Sequence, residues 1–212
     1  MKIKTPLFDI KIDILFLIVM FIFLLYSKLR IFFSSFFVCY LFIVFHEASH
    51  MLVASIFGKS IESFNISLFG VSITFKKEHY SISNKITDKR TCIKNILIYL
   101  AGPVANFILA IIFKNIKIVF DINLFLCILN LIPIYPLDGY NILNNILLLK
   151  YDEEKIEKII NIINYIFFIV LFVLGGVSII LLYNPSLILF LIYILIIKNN
   201  HIKCKNRLKY YK

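Results

Sequence analysis

The stretch that decides the fold is "FHEASHMLVASIF" at residues 45–57, where His46, Glu47 and His50 interrupt an apolar run. An ionisable side chain near a bilayer centre costs about 2.5–3.5 kcal/mol on insertion scales, so three within five positions need a chemical partner. Histidines four residues apart share one helix face, which suits two ligands of one zinc ion, and the glutamate between them suits a general base. The alternative is a hydrogen-bonded polar cluster that serves helix packing.

The composition around this stretch is that of a membrane protein. Hydrophobic residues make up 61% of the chain and the mean hydropathy is +0.92, whereas soluble domains are about 45–50% apolar. The sequence predicts an all-α polytopic membrane protein, one intramembrane domain over residues 1–212, with about six transmembrane helices. The predicted spans are 12–27, 31–57, 93–113, 118–148 (interrupted), 159–183 and 185–198.

The basic residues are distributed asymmetrically between the two sides of these spans. The two termini, the loop after the second span and the loop after the fourth hold 19 of the 23 lysines and arginines. Cytosolic segments are enriched in basic residues, so both termini are expected in the cytosol. The net charge of +11 then reflects topology rather than nucleic-acid binding, and the basic tail at 199–212 is expected to lie on anionic headgroups. The four cysteines form no CxxC pair and are expected to be free thiols.

The loop after the second span contains "SFNISLFGVSITF" at residues 63–75. Apolar and polar residues alternate on both sides of Gly70, which predicts a small membrane-associated β-hairpin. One of its strands could hold a substrate in an extended conformation. The alternative is an amphipathic surface hairpin without a role in catalysis.

A second chemical motif is "NLIPIYPLDGYNIL" at residues 130–143. Its prolines, Pro133 and Pro136, break the fourth span, and broken backbone at membrane depth is tolerated where it lines a polar cavity. Asp138 is the acidic residue of this stretch, and its carboxylate can complete a set of two histidines and one aspartate, or it can simply cap the helix that follows. The two remaining histidines are expected to face solvent: His79 in a polar loop and His201 in the tail.

The order of three motifs resembles that of the site-2 protease family, the intramembrane zinc metalloproteases of peptidase family M50. These motifs are HEASH at 46–50, LAGPVANF at 100–107 and NLIPIYPLDG at 130–139. The resemblance covers nearly the whole chain, and the spacing within the third motif is similar to that of the stage IV sporulation branch. It implies a zinc-dependent endopeptidase that cleaves in or near a membrane segment of a regulatory protein.

The resemblance also implies roles for individual residues. One Zn²⁺ per chain is implied, held by His46, His50 and Asp138, with Glu47 as the general base. Asn130 is implied as a polar residue near the substrate. The prolines that shape the broken span are Pro133 and Pro136.

The partners implied are a membrane or membrane-associated protein substrate, the lipid bilayer and an inhibitory membrane protein. The sporulation branch implies the bacterial cytoplasmic or sporulation membrane and a sigma-factor precursor as substrate. That branch carries a nucleotide-sensing domain after its last span, whereas about 14 residues follow the last span here. Regulation by nucleotides is therefore not expected. A nucleic-acid partner is not expected either, because the basic residues mark cytosolic segments and a tail that lies on headgroups.

Two other functions fit part of these observations. A metal transporter could use His46, His50 and Asp138 as a transit site, but it would not need Glu47 and would more often be built from repeated halves. A non-catalytic scaffold that only binds partners would not need the glutamate either. The intact His-Glu-x-x-His motif favours the protease.

Overall fold

The computed structural model describes residues 2–4, 8–25, 30–67, 70–75, 89–185 and 187–197. The chain divides into two compact units, Met1–Ile128 and Leu129–Lys212, which are described separately below. The boundary falls within one helix. Helices dominate both units, and a small sheet belongs to the first.

The helices of the first unit are α1 (Ile14–Leu25), α2 (Arg30–Ile56), α3 (Lys89–Ile112) and the greater part of α4 (Lys117–Leu131). Helices α2 and α3 pack against each other along buried stripes with a four-residue spacing, because residues four apart lie on one face of an α-helix. The stripe on α2 consists of Phe42, His46, His50 and Ala54, and that on α3 consists of Ile98, Gly102, Asn106 and Ala110.

The two helices run antiparallel, as the contacts between them show. Near the end of α2, Lys59 Nζ donates a hydrogen bond of 2.9 Å to Asn95 Oδ1. Further back along α2, His50 meets Ile98. Residue numbers thus rise on α3 as they fall on α2, which fixes the register of the two stripes.

The sheet has the strand order β1–β2–β3–β4: Lys2–Lys4, Asp9–Ile12, Ile61–Ser67 and Gly70–Phe75. Strands β3 and β4 form the antiparallel hairpin that the alternating sequence predicted. Strand β2 adds to β3 in parallel, which requires a long connection between them, and here α1 and α2 provide it. The phenol of Tyr40 on α2 donates a 3.0 Å hydrogen bond to the Ser67 carbonyl and holds the sheet against the helix.

The second unit contains α5 (Asp138–Leu148), α6 (Glu153–Leu182) and α7 (Leu187–Ile197). Its core is a cluster of Ile134, Leu171, Leu191 and Ile194, against which Ile132 and Leu137 pack. The core thus holds the segment between α4 and α5 in place. The fourth apolar run is divided at this segment, because neither Pro133 nor Pro136 can donate a helical hydrogen bond.

Three helices in the described part of the chain are long and apolar enough to cross a membrane: Phe36–Ile56, Lys89–Ile112 and Glu154–Leu181. They coincide with the predicted spans 31–57, 93–113 and 159–183. Where the structure describes the predicted spans 12–27 and 185–198, they contain the short helices α1 and α7, whereas a single crossing needs about 20 residues. An integral membrane protein is therefore confirmed, whereas the number of six spans is not.

Candidate metal centre

Helix α2 brings His46 and His50 together one turn apart. Their Nε2 atoms lie 3.1 Å from each other, and their rings meet edge to face at a centroid distance of 4.8 Å. Both side chains are buried, with 3% and 5% of their surface exposed. Two buried imidazoles that direct nitrogen atoms at one point can supply two ligands to one metal ion, and these two nitrogens are called the donor pair below.

The separation of the two nitrogens fits zinc. Two nitrogen ligands at 2.0–2.1 Å in a tetrahedral arrangement lie about 3.3 Å apart, close to the 3.1 Å between the two Nε2 atoms. On the other side of the His50 ring, Nδ1 donates a 2.6 Å hydrogen bond to the Ile98 carbonyl. Because that bond keeps the proton on Nδ1, Nε2 has its lone pair free to bind a metal.

The space for the two imidazoles exists because α3 has no side chain at Gly102. A Cβ atom built there would lie 2.5 Å from His46 Nε2 and closer still to His50 Nε2. Glycine inside a helix costs about 0.5–1 kcal/mol relative to alanine, so it needs a reason. The reason here is that any larger residue would occupy the point at which the two nitrogens converge.

Glu47 lies beside this donor pair. Its carboxylate and the ring nitrogens of His46 and His50 provide ligand-capable atoms that all lie within 4.8 Å of one another. Glu47 is only partly buried, unlike the histidines. Its position therefore suits a group that receives a proton from a water molecule as well as one that binds a metal.

Asp138 lies in the second unit, where it is the first residue of α5. The N-cap position belongs to Leu137, so the aspartate is not the capping residue that the alternative interpretation predicted. Its charge lies at the positive end of the α5 dipole, which stabilises a carboxylate at this position. Asp138 is partly buried, and its role as a third ligand stays a prediction.

The turn before Asp138 is shaped by close backbone contacts. A Cβ atom built on Gly139 would lie 2.5 Å from the Leu131 carbonyl carbon and closer still to its oxygen, so the end of α4 and the start of α5 can touch only at a glycine. Pro133 is partly buried and Pro136 is exposed in the same turn. Asn130 lies in the last turn of α4 and is partly buried; its predicted contact with the substrate stays a prediction.

Sequence reasoning assigned no function to two parts of this centre. The Ile98 carbonyl, which orients His50, is a backbone atom and leaves no trace in the side-chain pattern. Gly102 was visible only as part of LAGPVANF, and a glycine inside a predicted helix was the signal that could have identified it. The other two histidines, His79 and His201, lie outside the described residues.

The chain is similar in sequence and in structure to known proteases of one family. The sequence model of peptidase family M50 matches residues 34–120 and 114–174. Among solved structures, the chain is similar to the site-2 protease from Methanocaldococcus jannaschii, with 26% identity and a TM-score of 0.61. That match covers 92% of this chain and 91% of the archaeal chain. No curated protein sequence matches.

Proposed function

The chain belongs to peptidase family M50, the family of site-2 proteases, and from this premise we propose that it is a zinc-dependent intramembrane endopeptidase with its zinc at His46 and His50. One observation carries the proposal. Two buried imidazoles direct their Nε2 atoms at one point, with a carboxylate beside them, inside an apolar helix. A polar cluster that served only helix packing would not need two ligand nitrogens that converge on a gap left by a glycine.

The ligand set that we propose is His46, His50 and Asp138, with one zinc ion per chain. A catalytic zinc usually has three protein ligands and one open position, so the two histidines need a third donor. Asp138 supplies a carboxylate at the dipole-stabilised start of α5, within the third motif shared with the family. Glu47 is left outside the set because its role lies in proton transfer.

The reaction that we propose is hydrolysis of a peptide bond. A zinc ion held by these residues supplies Lewis acidity, which makes water reactive near neutral pH. Glu47 accepts the proton of the attacking water and passes it to the leaving amine. Asn130 donates a hydrogen bond to the substrate near the bond that is cleaved, and Pro133 and Pro136 keep the backbone around it open.

A transmembrane substrate must unwind before it can be cleaved, because helical hydrogen bonds shield its carbonyl groups. The unwound backbone then needs hydrogen-bond partners, since the bilayer offers none. Strand β4 ends the described sheet and packs against α2, the helix that carries the two histidines. We propose that β4 pairs with the unwound substrate and holds it extended.

The substrate that we propose is a membrane or membrane-associated regulatory protein, with a sigma-factor precursor of sporulation as the specific case. The spacing of Asn130, Pro133, Pro136 and Asp138 supports that branch. The position of 19 of the 23 basic residues supports a multi-pass protein of the bacterial cytoplasmic membrane with both termini in the cytosol. An inhibitory membrane protein is the further partner proposed.

The Glu47→Gln variant tests the reaction. It keeps size and hydrogen bonding but removes the base, so cleavage of a co-expressed substrate should fall by about 10²–10⁴-fold. Zinc content, measured by elemental analysis of purified protein, should stay at the wild-type level. Loss of zinc together with activity would make Glu47 a ligand rather than a base. Cleavage at the wild-type rate would remove the protease assignment in favour of a transporter or scaffold.

A further inference from the structure

Asn106 belongs to the LAGPVANF motif and has no role in the reaction proposed above. It lies on α3, one turn after Gly102, with 0% of its surface exposed. Within the described part of the chain, neither its Oδ1 nor its Nδ2 atom makes a hydrogen bond. A fully buried amide in an apolar helix with both polar atoms unused is the kind of group that a functional partner explains.

The energetic argument is that such an amide does not remain unsatisfied in the working protein. Burying an amide without a hydrogen bond is unfavourable in an apolar medium, and a leucine of similar size would avoid that cost. The hydrogen-bond partner of Asn106 should therefore be a group that becomes available to it when a metal is bound at the centre. The groups nearest along the helix face are those that converge at Gly102.

The register of the two buried stripes identifies this group. Ile98 meets His50, and Gly102 meets both imidazoles. Since α2 and α3 run antiparallel, the next buried position of the α3 stripe, Asn106, lies on the side of His46 away from His50. Helical side chains lean towards the N-terminus of their own helix, so the Asn106 amide leans back towards Gly102 and the His46 ring.

The neighbouring histidine shows which contact to expect. His50 donates its Nδ1–H to an oxygen of α3, the Ile98 carbonyl, at 2.6 Å. Histidines that bind a metal through one nitrogen almost always donate the other N–H to an oxygen, which fixes the ring orientation and raises the basicity of the ligand. The amide oxygen of Asn106 can accept such a bond without adding a negative charge.

We propose that Asn106 Oδ1 accepts a hydrogen bond from Nδ1–H of His46 when the metal is bound, and so positions His46 as a ligand. The proposal rests on the proposed zinc site. Asn106 is a positioning residue, since it acts through the imidazole and touches neither the metal nor the substrate.

The test is the zinc dissociation constant of the full-length protein in detergent, measured by competition with a chelator and therefore without a substrate. Asn106→Leu should raise this constant about 10–100-fold, the usual effect of losing such a supporting contact. Asn106→Asp keeps an acceptor oxygen and should restore binding to within a few-fold of wild type. In Co²⁺-loaded protein, the visible ligand-field bands should shift in Asn106→Leu and return in Asn106→Asp.

The matched control is Asn123→Leu, which removes another asparagine with 0% exposure from the same unit. Its Nδ2 donates to the Val119 carbonyl of its own helix, and its Oδ1, like that of Asn106, makes no hydrogen bond within the described residues. Asn123 lies on α4 rather than on the α3 stripe that meets the two imidazoles, so zinc binding should not change. If Asn106→Leu does not fold, Asn106→Ala removes the amide without adding bulk and carries the same expectation.

Three results would overturn the proposal. Zinc binding at the wild-type level in Asn106→Leu or Asn106→Ala removes the contact. Equal weakening in Asn106→Asp and Asn106→Leu makes the role a packing role rather than that of an acceptor. A wild-type chain that binds no zinc refutes the proposed function as well, whereas the first two results leave it standing.

Discussion

The α2–α3 centre and the α4–α5 turn carry their polar groups in opposite ways. In the first, His46 and His50 lie on an unbroken helix, and a second unbroken helix leaves a gap for them at Gly102. In the second, Asp138 follows a break in the helix, and the break is held by the core around Ile134. Regular helices set the nitrogen–nitrogen distance in one region, and irregular backbone presents a carboxylate in the other.

The difference shows which structural features fix the positions of the polar groups in each region. The 3.1 Å between the two Nε2 atoms follows from the four-residue periodicity of a helix together with one backbone carbonyl that orients a ring. The position of Asp138 depends on a turn in which Gly139 touches the preceding helix end. In the α2–α3 centre, zinc binding should therefore be most sensitive to the loss of a side chain. In the α4–α5 turn, stability should be most sensitive to the addition of one.

The largest effect is expected from His50→Ala, which removes one of the two nitrogens of the helical site. A catalytic zinc left with two protein ligands is held weakly, so zinc content should fall to background and cleavage should be lost with it. Elemental analysis of the purified protein and a cleavage assay measure the two quantities. Retention of one zinc per chain in this variant would place the metal elsewhere.

The next effect is expected from Gly102→Ala, which adds a methyl group to the helical region. The new carbon would overlap both Nε2 atoms, and overpacking of this kind costs about 1–3 kcal/mol. The zinc dissociation constant should therefore rise about 5- to 150-fold. Chelator competition measures it. A wild-type constant would show that the two imidazoles can withdraw from α3 without losing the metal.

A smaller effect on zinc and a larger one on stability are expected from Gly139→Ala in the irregular region. The added carbon meets the backbone of Leu131 rather than flexible side chains, so the end of α4 and the start of α5 must separate. Unfolding should become easier by about 1–3 kcal/mol, since the turn cannot repack without backbone movement. Thermal unfolding in detergent measures this change. Unchanged stability would contradict the close contact.

The smallest effect is expected from Gly176→Ala on α6, which is the matched control for both glycine variants. Apart from the adjoining backbone of its own helix, no atom of the described residues lies within 4 Å of a Cβ built there, and alanine is favoured over glycine inside a helix by about 0.5–1 kcal/mol. The variant should bind zinc like the wild type and unfold at an equal or slightly higher temperature. Destabilisation here would mean that glycine substitutions are harmful in this protein irrespective of local space.

The regular region could be predicted from the sequence in most of its details. Four-residue spacing is a local property, so the shared helix face of His46 and His50 was readable from "HEASH" alone. The hairpin was readable for the same reason, because its two strands are adjacent in sequence and alternate around Gly70. The long spans α2, α3 and α6 followed from their apolar runs.

The rest depended on contacts between distant residues. Strands β1 and β2 are only three and four residues long, which is too short for a periodic pattern to predict them. Strand β2 also pairs with β3 across about 50 residues of chain, and a local pattern cannot predict such a pairing. The Ile98 carbonyl acts through the backbone. The prolines of the third motif predicted a break in the helix, but the contact between Gly139 and the end of α4 was visible only in the structure.

The position of the histidines along α2 has a consequence for the supply of water. Helix α2 has 27 residues and is therefore about 40 Å long, and His50 lies six residues before its end at Ile56, about 9 Å along the axis. Each turnover of a hydrolase consumes one water molecule, which must reach a site inside a hydrocarbon layer that is about 30 Å thick in total. Because the histidines lie so close to one end of α2, we expect a shallow hydrated recess at that end to supply the water, without a channel through the bilayer. A lipid that thickens the bilayer would lengthen that route, and we expect it to slow proteolysis.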